Sequence, residues 1–299
     1  MTIPHHNSFH AHQDIPKKNL QTAFLLNFFF TIIELVGGFL THSMAIMSDA
    51  VHDLGDTVTI GLSWYFEKFS LKKRDNQFSY GYRRFSLVAA LLSSIVLLVG
   101  SIFIIIEAIP RIKNPAAVNG TGMLGLACLG ILINGFAVLK LKTGKSANEK
   151  VVRLHLLEDV LGWIAVLMGS IIILIFDMHV VDPILSLLIS GYILWNVFSN
   201  LRDIVRVFLQ GIPGEINIDK VVEKMKTVPD VESVHDVHIW SLDGQYHILS
   251  AHIVVPDNLG KEKTVILKNN VRKVIRQFDI EHETLEIGYM SESCDYTTC

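Results

Sequence analysis

A chain of 299 residues that is 50% hydrophobic and only 18% charged is too apolar for an ordinary soluble domain of this length. The net charge of −3 averages two unlike parts, and no cluster of basic residues reads as a nucleic-acid surface. Three cysteines, Cys128, Cys294 and Cys299, exclude a disulfide scaffold.

Residues 1–19 lack the charged start, apolar stretch and small-residue cleavage site of a secretory signal. They are polar and carry His5, His6, His10 and His12, a set that suits metal capture by a flexible segment and a plain solvated tail equally.

From residue 20 the chain turns apolar. A bilayer core of about 30 Å is spanned by roughly 20 apolar residues in a helix. Six stretches qualify: Leu20–Leu40, Met44–Phe66, Phe85–Ile109, Val118–Leu139, Val151–Phe176 and Ile184–Val207. The second and fifth are the least apolar. Fifteen lysines and arginines flank the spans on one side, at Lys17 and Lys18 and within residues 68–84, 140–153 and 202–206; only Arg111 and Lys113 flank the other. That bias predicts a six-helix membrane domain over residues 20–210 with both termini in the cytoplasm. With no targeting signal and a compact chain, a bacterial inner membrane is the expected location.

Residues 211–299 read as a small soluble domain. Ile218–Val228 predicts a short helix ended by Pro229. Val234–Leu242 and Tyr246–Val255 predict two strands joined at Asp243-Gly244, a strong hairpin signal. Thr264, Leu267, Lys268, Val271, Ile275 and Phe278 fall at helical spacing, and His282–Tyr289 alternates as a last strand. The order αββαβ suffices for a two-layer α+β domain. Its small size makes pairing with a second copy, a homodimer, the expected arrangement.

An ionisable residue inside a span is costly, so it marks function by default. In the second span Asp49, His52, Asp53 and Asp56 share roughly a third of the helix circumference. In the fifth, His155 and Asp159 repeat the His–Asp spacing of one turn. A single such pair is equally well explained by a hydrogen bond between helices. Two matching pairs on separate apolar helices argue for a metal. Two imidazoles and two carboxylates suit tetrahedral Zn²⁺, whereas magnesium or calcium would draw oxygen ligands. Protons can replace the departing ion on the same groups, so metal–proton exchange follows from the ligand chemistry. Glu34, Asn27, Asn134 and Glu107 are further polar groups within spans; bundle packing explains the two asparagines as well as any site does.

These residues resemble the cation diffusion facilitator family of zinc and related metal transporters. The resemblance rests on His52-x-x-x-Asp56 and His155-x-x-x-Asp159. It is extended by Ser79-Tyr80-Gly81-Tyr82-Arg83-Arg84, by Asp182-Pro183 and by His235-Asp236-Val237-His238-Ile239-Trp240 with Leu249-Ser250-Ala251-His252. It implies a transport site of His52, Asp56, His155 and Asp159, a ferredoxin-like cytoplasmic domain, a homodimer, and export of Zn²⁺ in exchange for protons. Cd²⁺ and Co²⁺ are further cargo for members with this ligand set. It also implies a regulatory metal site at His235, His252 and His282, with Zn²⁺ as its ligand. On strand alternation, His238 and His247 fall in the opposite phase from His235 and His252 respectively.

The chain departs from the family in three places. Lys140–Lys150 is short and free of histidine, the link between the second and third spans has neither His nor Cys, and the tail ends in Cys294-x-x-x-x-Cys299 rather than a closer pair. Cys294 and Cys299 suit soft metal ligation or two unrelated thiols. Gly144-Lys145-Ser146 lacks the earlier glycine of a phosphate-binding loop, and His282-Glu283 lacks the second histidine of a zinc protease. No enzyme reading survives. A metal-gated channel and a membrane-anchored metal sensor are the rival readings. Four tight ligands would hold an ion too long for a channel, and a mere anchor has no use for two His–Asp pairs.

Overall fold

The computed structural model describes residues 17–70, 72–140 and 147–292, leaving aside the side chains of residues 17–23, 63–64, 67–68, 70, 140 and 147–155. The chain divides into two compact units between Leu201 and Arg202.

Among the described residues the elements of the first unit are all helices: α1 (Lys17–Thr41), α2 (Met44–Ser70), α3 (Phe85–Lys113), α4 (Gly120–Lys140), α5 (Ala147–Phe176) and the start of α6 (Val181–Phe208). Each helix falls on one of the six stretches expected from hydropathy. Among the described residues, α1, α3, α4, α5 and α6 are long and apolar enough to cross a membrane. The sixth helix, α2, has the length at 27 residues but not the composition, because Asp49, Asp53 and Asp56 lie along it. The unit is built inside out relative to a soluble bundle. Phe39, Leu132, Phe136 and Trp195 are exposed, whereas Glu34, Ser101, Ser170, Asp182, Ser186 and Ser190 are fully buried. That distribution fits lipid outside and a polar interior. The protein is a multi-pass membrane protein.

Helix α2 packs between α1 and α3, and α4 packs on α5. Polar side chains tie the first pair: Asn27 Nδ2 donates to the backbone carbonyl of Asp53 at 3.2 Å and to the Thr57 hydroxyl at 3.0 Å. The Thr31 and Thr57 hydroxyls lie 3.2 Å apart. An apolar cluster of Phe30, Ile46, Met123, Ala127, Trp163 and Val166 joins α1, α2, α4 and α5. Trp163 sits against Gly130, which lets the two backbones approach closely.

The α2–α3 link is ordered by one side chain. The Asp75 carboxylate accepts from the Tyr82 hydroxyl at 2.7 Å, from the Phe78 and Gln77 amides at 3.0 and 2.9 Å, and from Lys72 Nζ at 3.1 Å. Those donors, the Tyr82 hydroxyl foremost, hold its carboxyl well below the usual carboxylate range. A group depressed in this way keeps its contribution to loop order until pH falls through its lowered pKa.

The second unit carries the end of α6, then α7 (Ile218–Lys226), β1 (Ser233–Ser241), β2 (His247–Val255), α8 (Lys261–Ile275) and β3 (Ile280–Tyr289). The sheet order is β1-β2-β3; β1 and β2 pair antiparallel, β2 and β3 parallel across the α8 connection. This is the αββαβ order expected from the sequence. Asn217 caps α7 by accepting from the Lys220 amide at 3.0 Å. Val221 and Met225 of α7, and Leu267, Val271 and Ile275 of α8, bury against Ile239, Leu249, Ala251 and Ile253 of the sheet.

The Trp163 ring of α5 packs directly on Gly130 of α4, where a methyl added to the glycine would run into it. Gly130→Ala is expected to cost about 1–3 kcal/mol through overpacking, read as a lowered thermal midpoint in detergent. Gly135→Ala, whose added methyl meets nothing within 4 Å, should leave that midpoint unchanged.

Candidate metal centre

Helical periodicity alone stacks His52 over Asp56 on one face of α2. The bundle then brings Asp159 of α5 to the same imidazole. His52 Nε2 lies 3.9 Å from Asp56 Oδ2 and 3.7 Å from Asp159 Oδ1. Both spacings exceed a hydrogen bond. Ligand atoms around a tetrahedral zinc with bonds of 2.0–2.2 Å stand about 3.3–3.6 Å apart. Asp56 and Asp159 therefore both approach the His52 imidazole, at spacings slightly wider than the edges of such a cage. The backbone of His155 lies one turn before Asp159 in α5, and its side chain falls outside the described residues. Among the described residues no group of three or more His, Cys, Asp or Glu stands close enough together to hold a metal ion.

Around this trio lies a second layer of carboxylates. Asp49 and Asp53 are buried on α2, and Glu34 of α1 is fully buried with Asp53 and Asp49 acting on it electrostatically. Sequence periodicity singles out each of these residues. It has no means of pairing Glu34 with Asp53, which is a contact between helices.

The second unit gathers a different cluster on the sheet face turned away from α7 and α8. His235 and His252 are register partners, with ring centroids 5.4 Å apart. A β-bulge follows His235, where Asp236 takes a left-handed backbone at φ +50°. The extra residue resets the alternation, so His238 pairs with Ser250, on the same face as His252. The phase argument that set His238 apart assumes an unbroken strand, and the bulge removes that premise. Asp236 then bridges the two: Oδ1 lies 2.8 Å from His238 Nε2 and Oδ2 lies 3.7 Å from His252 Nε2.

From β3 comes a residue the sequence reading did not single out. Glu286 is the register partner of His252, with Oε2 2.9 Å from His252 Nε2. His282, expected at this site, instead pairs with Ile248. It lies four positions from Glu286, about 13 Å along the strand. Strand register thus places Glu286, and not His282, directly beside His252, and register is not visible in a single strand. His247 is buried at the start of β2, with Nε2 3.5 Å from Glu215 Oε1, away from the His252 cluster. Cys294, Cys299 and the four N-terminal histidines lie outside the described residues.

Residues 20–209 match the family model described as the cation efflux transmembrane domain, and residues 213–287 match the cytoplasmic domain of cation efflux proteins. Over 296 residues the chain is 31% identical to the cadmium, cobalt and zinc/H(+)-K(+) antiporter of Bacillus velezensis, covering 98% of this chain and 94% of that protein. It is 32% identical to the metal cation efflux system protein CzcD of Cupriavidus metallidurans over 279 residues, covering 93% and 88% of the two chains. It is 31% identical to the zinc transporter ZitB of Escherichia coli over 289 residues, covering 95% and 91%.

The sheet cluster generates a ranking that zinc titration of the full chain can check, with Asp159→Ala included to silence the membrane trio. His252→Ala and Glu286→Ala should each weaken the remaining zinc binding by about tenfold or more, at least the loss expected for a partner of a metal ligand. His282→Ala should leave it unchanged. The reverse ranking would return His282 to the cluster.

Proposed function

The chain belongs to the cation efflux family, and from that premise we propose that it exports divalent metal from the cytoplasm, Zn²⁺ first, in exchange for protons. Cd²⁺ and Co²⁺ are further cargo, in line with the names of its relatives. The transport site is His52, Asp56, His155 and Asp159. The observation that carries this reading is the approach of Asp159 on α5 to the imidazole of His52 on α2, at 3.7 Å, with Asp56 at 3.9 Å from the same nitrogen. Two helices thereby contribute to one small ionisable centre inside the helical unit.

In this mechanism Zn²⁺ enters from the cytoplasm and displaces protons from the imidazoles and carboxylates, since metal ligands bind in their deprotonated forms. The two Asp carboxylates match the charge of the ion, so the loaded site is close to neutral. The helices then rock to face the other side, where protons displace the metal. An emptied site that keeps its protons stays compensated on the return. The carboxylates therefore serve as metal ligands in one half of the cycle and proton carriers in the other.

Both termini lie in the cytoplasm of a bacterial inner membrane, on the strength of the lysine and arginine bias of the loops. The second unit binds Zn²⁺ as a regulatory ligand through His235, His252, Asp236 and Glu286, and it pairs with a second copy in a homodimer. Support for the pairing comes from the match to the cytoplasmic domain of the family. A histidine–carboxylate cluster on an open sheet face is also a surface where bound metal would neutralise charge between two copies.

Zinc uptake into proteoliposomes with an imposed pH gradient tests the whole proposal. Wild-type flux should scale with the gradient. Asp56→Ala and Asp159→Ala should each lower it by more than the roughly 10–100-fold expected from losing a residue behind a metal ligand. Undiminished flux in folded variants would sink the site. Flux indifferent to the gradient would sink proton exchange.

A further inference from the structure

Asp182 opens α6, yet its carboxylate serves α2. Oδ1 accepts from the Ser43 hydroxyl at 2.5 Å and from the Ala45 amide at 3.2 Å, while Oδ2 accepts from the Met44 amide at 2.7 Å. The Ser43 hydroxyl oxygen accepts in turn from the Ile46 amide at 3.2 Å. A helix start leaves its first amides without partners in its own backbone. In α2 the Asp182–Ser43 pair satisfies three of them, and both residues are fully buried. The cap is thus shared: Ser43, just before the helix, takes the Ile46 amide, and Asp182 of a distant helix takes those of Met44 and Ala45. Arg111 of α3 is the cation acting on Asp182, and the start of α2 adds its own positive end of the helix dipole. One more polar tie between the same helices lies a turn further in, where the Ser48 and Ser190 hydroxyls stand 2.7 Å apart.

The reason this matters lies in the composition of α2. The hydrophobic stretch of a span ordinarily sets its depth in the bilayer. Among the described residues α2 is not apolar enough to count as a span by that measure, so its depth needs another determinant. His52 and Asp56 follow the cap by about two and three helical turns on a rod that rises about 1.5 Å per residue. Asp159 stands on a different helix. Any slip of α2 along its axis therefore moves two ligands against the third, and metal–ligand distances tolerate only about 0.2 Å.

We propose that Asp182 is a positioning residue of the transport site: by capping α2 from α6 it holds the depth of α2, and with it the spacing of His52 and Asp56 from Asp159 that selects the metal. This rests on the reading of His52, Asp56 and Asp159 as the transport site. The test is zinc and cadmium uptake kinetics in proteoliposomes for the wild type, Asp182→Ala, Asp182→Asn, Ser43→Ala and Asp159→Ala, each with folded yield and thermal midpoint in detergent. Asp182→Ala should raise KM for zinc by about tenfold or more, the scale of losing a residue that orients a metal ligand, and shift preference toward the larger cadmium ion. Asp182→Asn, which keeps shape and one carbonyl acceptor, should recover most of the zinc KM and the zinc-to-cadmium ratio, with Ser43→Ala between. If Asp182→Ala does not fold, the Asn and Ser43 variants carry the same measurement. A lower yield or midpoint with KM and the zinc-to-cadmium ratio unchanged would leave Asp182 a structural cap and overturn the inference. Unchanged uptake in Asp159→Ala would remove the site itself, and the inference with it.

Discussion

A carboxylate inside a bilayer has no water to solvate it, so it persists only where other groups compensate its charge or a proton removes it. The first half of helix α2 carries three carboxylates, Asp49, Asp53 and Asp56, and α1 adds Glu34, on which Asp53 and Asp49 act electrostatically. The arrangement of the membrane unit answers that constraint. α2 is enclosed by α1 and α3, its polar face turns inward toward Asp159 of α5, and its first amides are satisfied from α6 by Asp182. The apolar side chains are left on the outside, where lipid replaces water as solvent.

On the proposed function, the same electrostatics suit the site to a carrier. Acidic and imidazole groups that must be compensated can be compensated by a metal ion or by protons, and the two alternatives exclude one another at shared ligand atoms. A stable ion pair with a fixed lysine would satisfy the charge permanently and leave nothing to exchange. The centre around His52, Asp56 and Asp159 instead draws on groups whose compensation can leave and return.

The second unit solves a smaller problem by strand geometry. Its sheet buries Ile239, Leu249, Ala251 and Ile253 against α7 and α8, which leaves the opposite face to polar residues. A plain β1 would split His235 and His238 between the faces. The bulge at Asp236 breaks that alternation and places both on one side with His252, while the parallel pairing of β3 sets Glu286 beside His252. A negatively charged, histidine-bearing patch results from one irregular residue and one choice of register.

The sequence by itself determined the helices of the membrane unit, the αββαβ order of the second, and the His52–Asp56 and His155–Asp159 pairs. Each of these depends on hydrophobic runs or on spacing within one element, which local periodicity records. It also marked Glu34 as an ionisable group within a span, and Asp182 through the family resemblance, without showing what they face. The tertiary structure alone decided the approach of Asp159 to His52, the Asp182 cap, the Glu34–Asp53 proximity and the pairing of Glu286 with His252. Those are contacts between elements, and their geometry comes from helix packing, a bulge and strand register. Such features depend on how separate segments fit together, and no single segment carries a record of its partner.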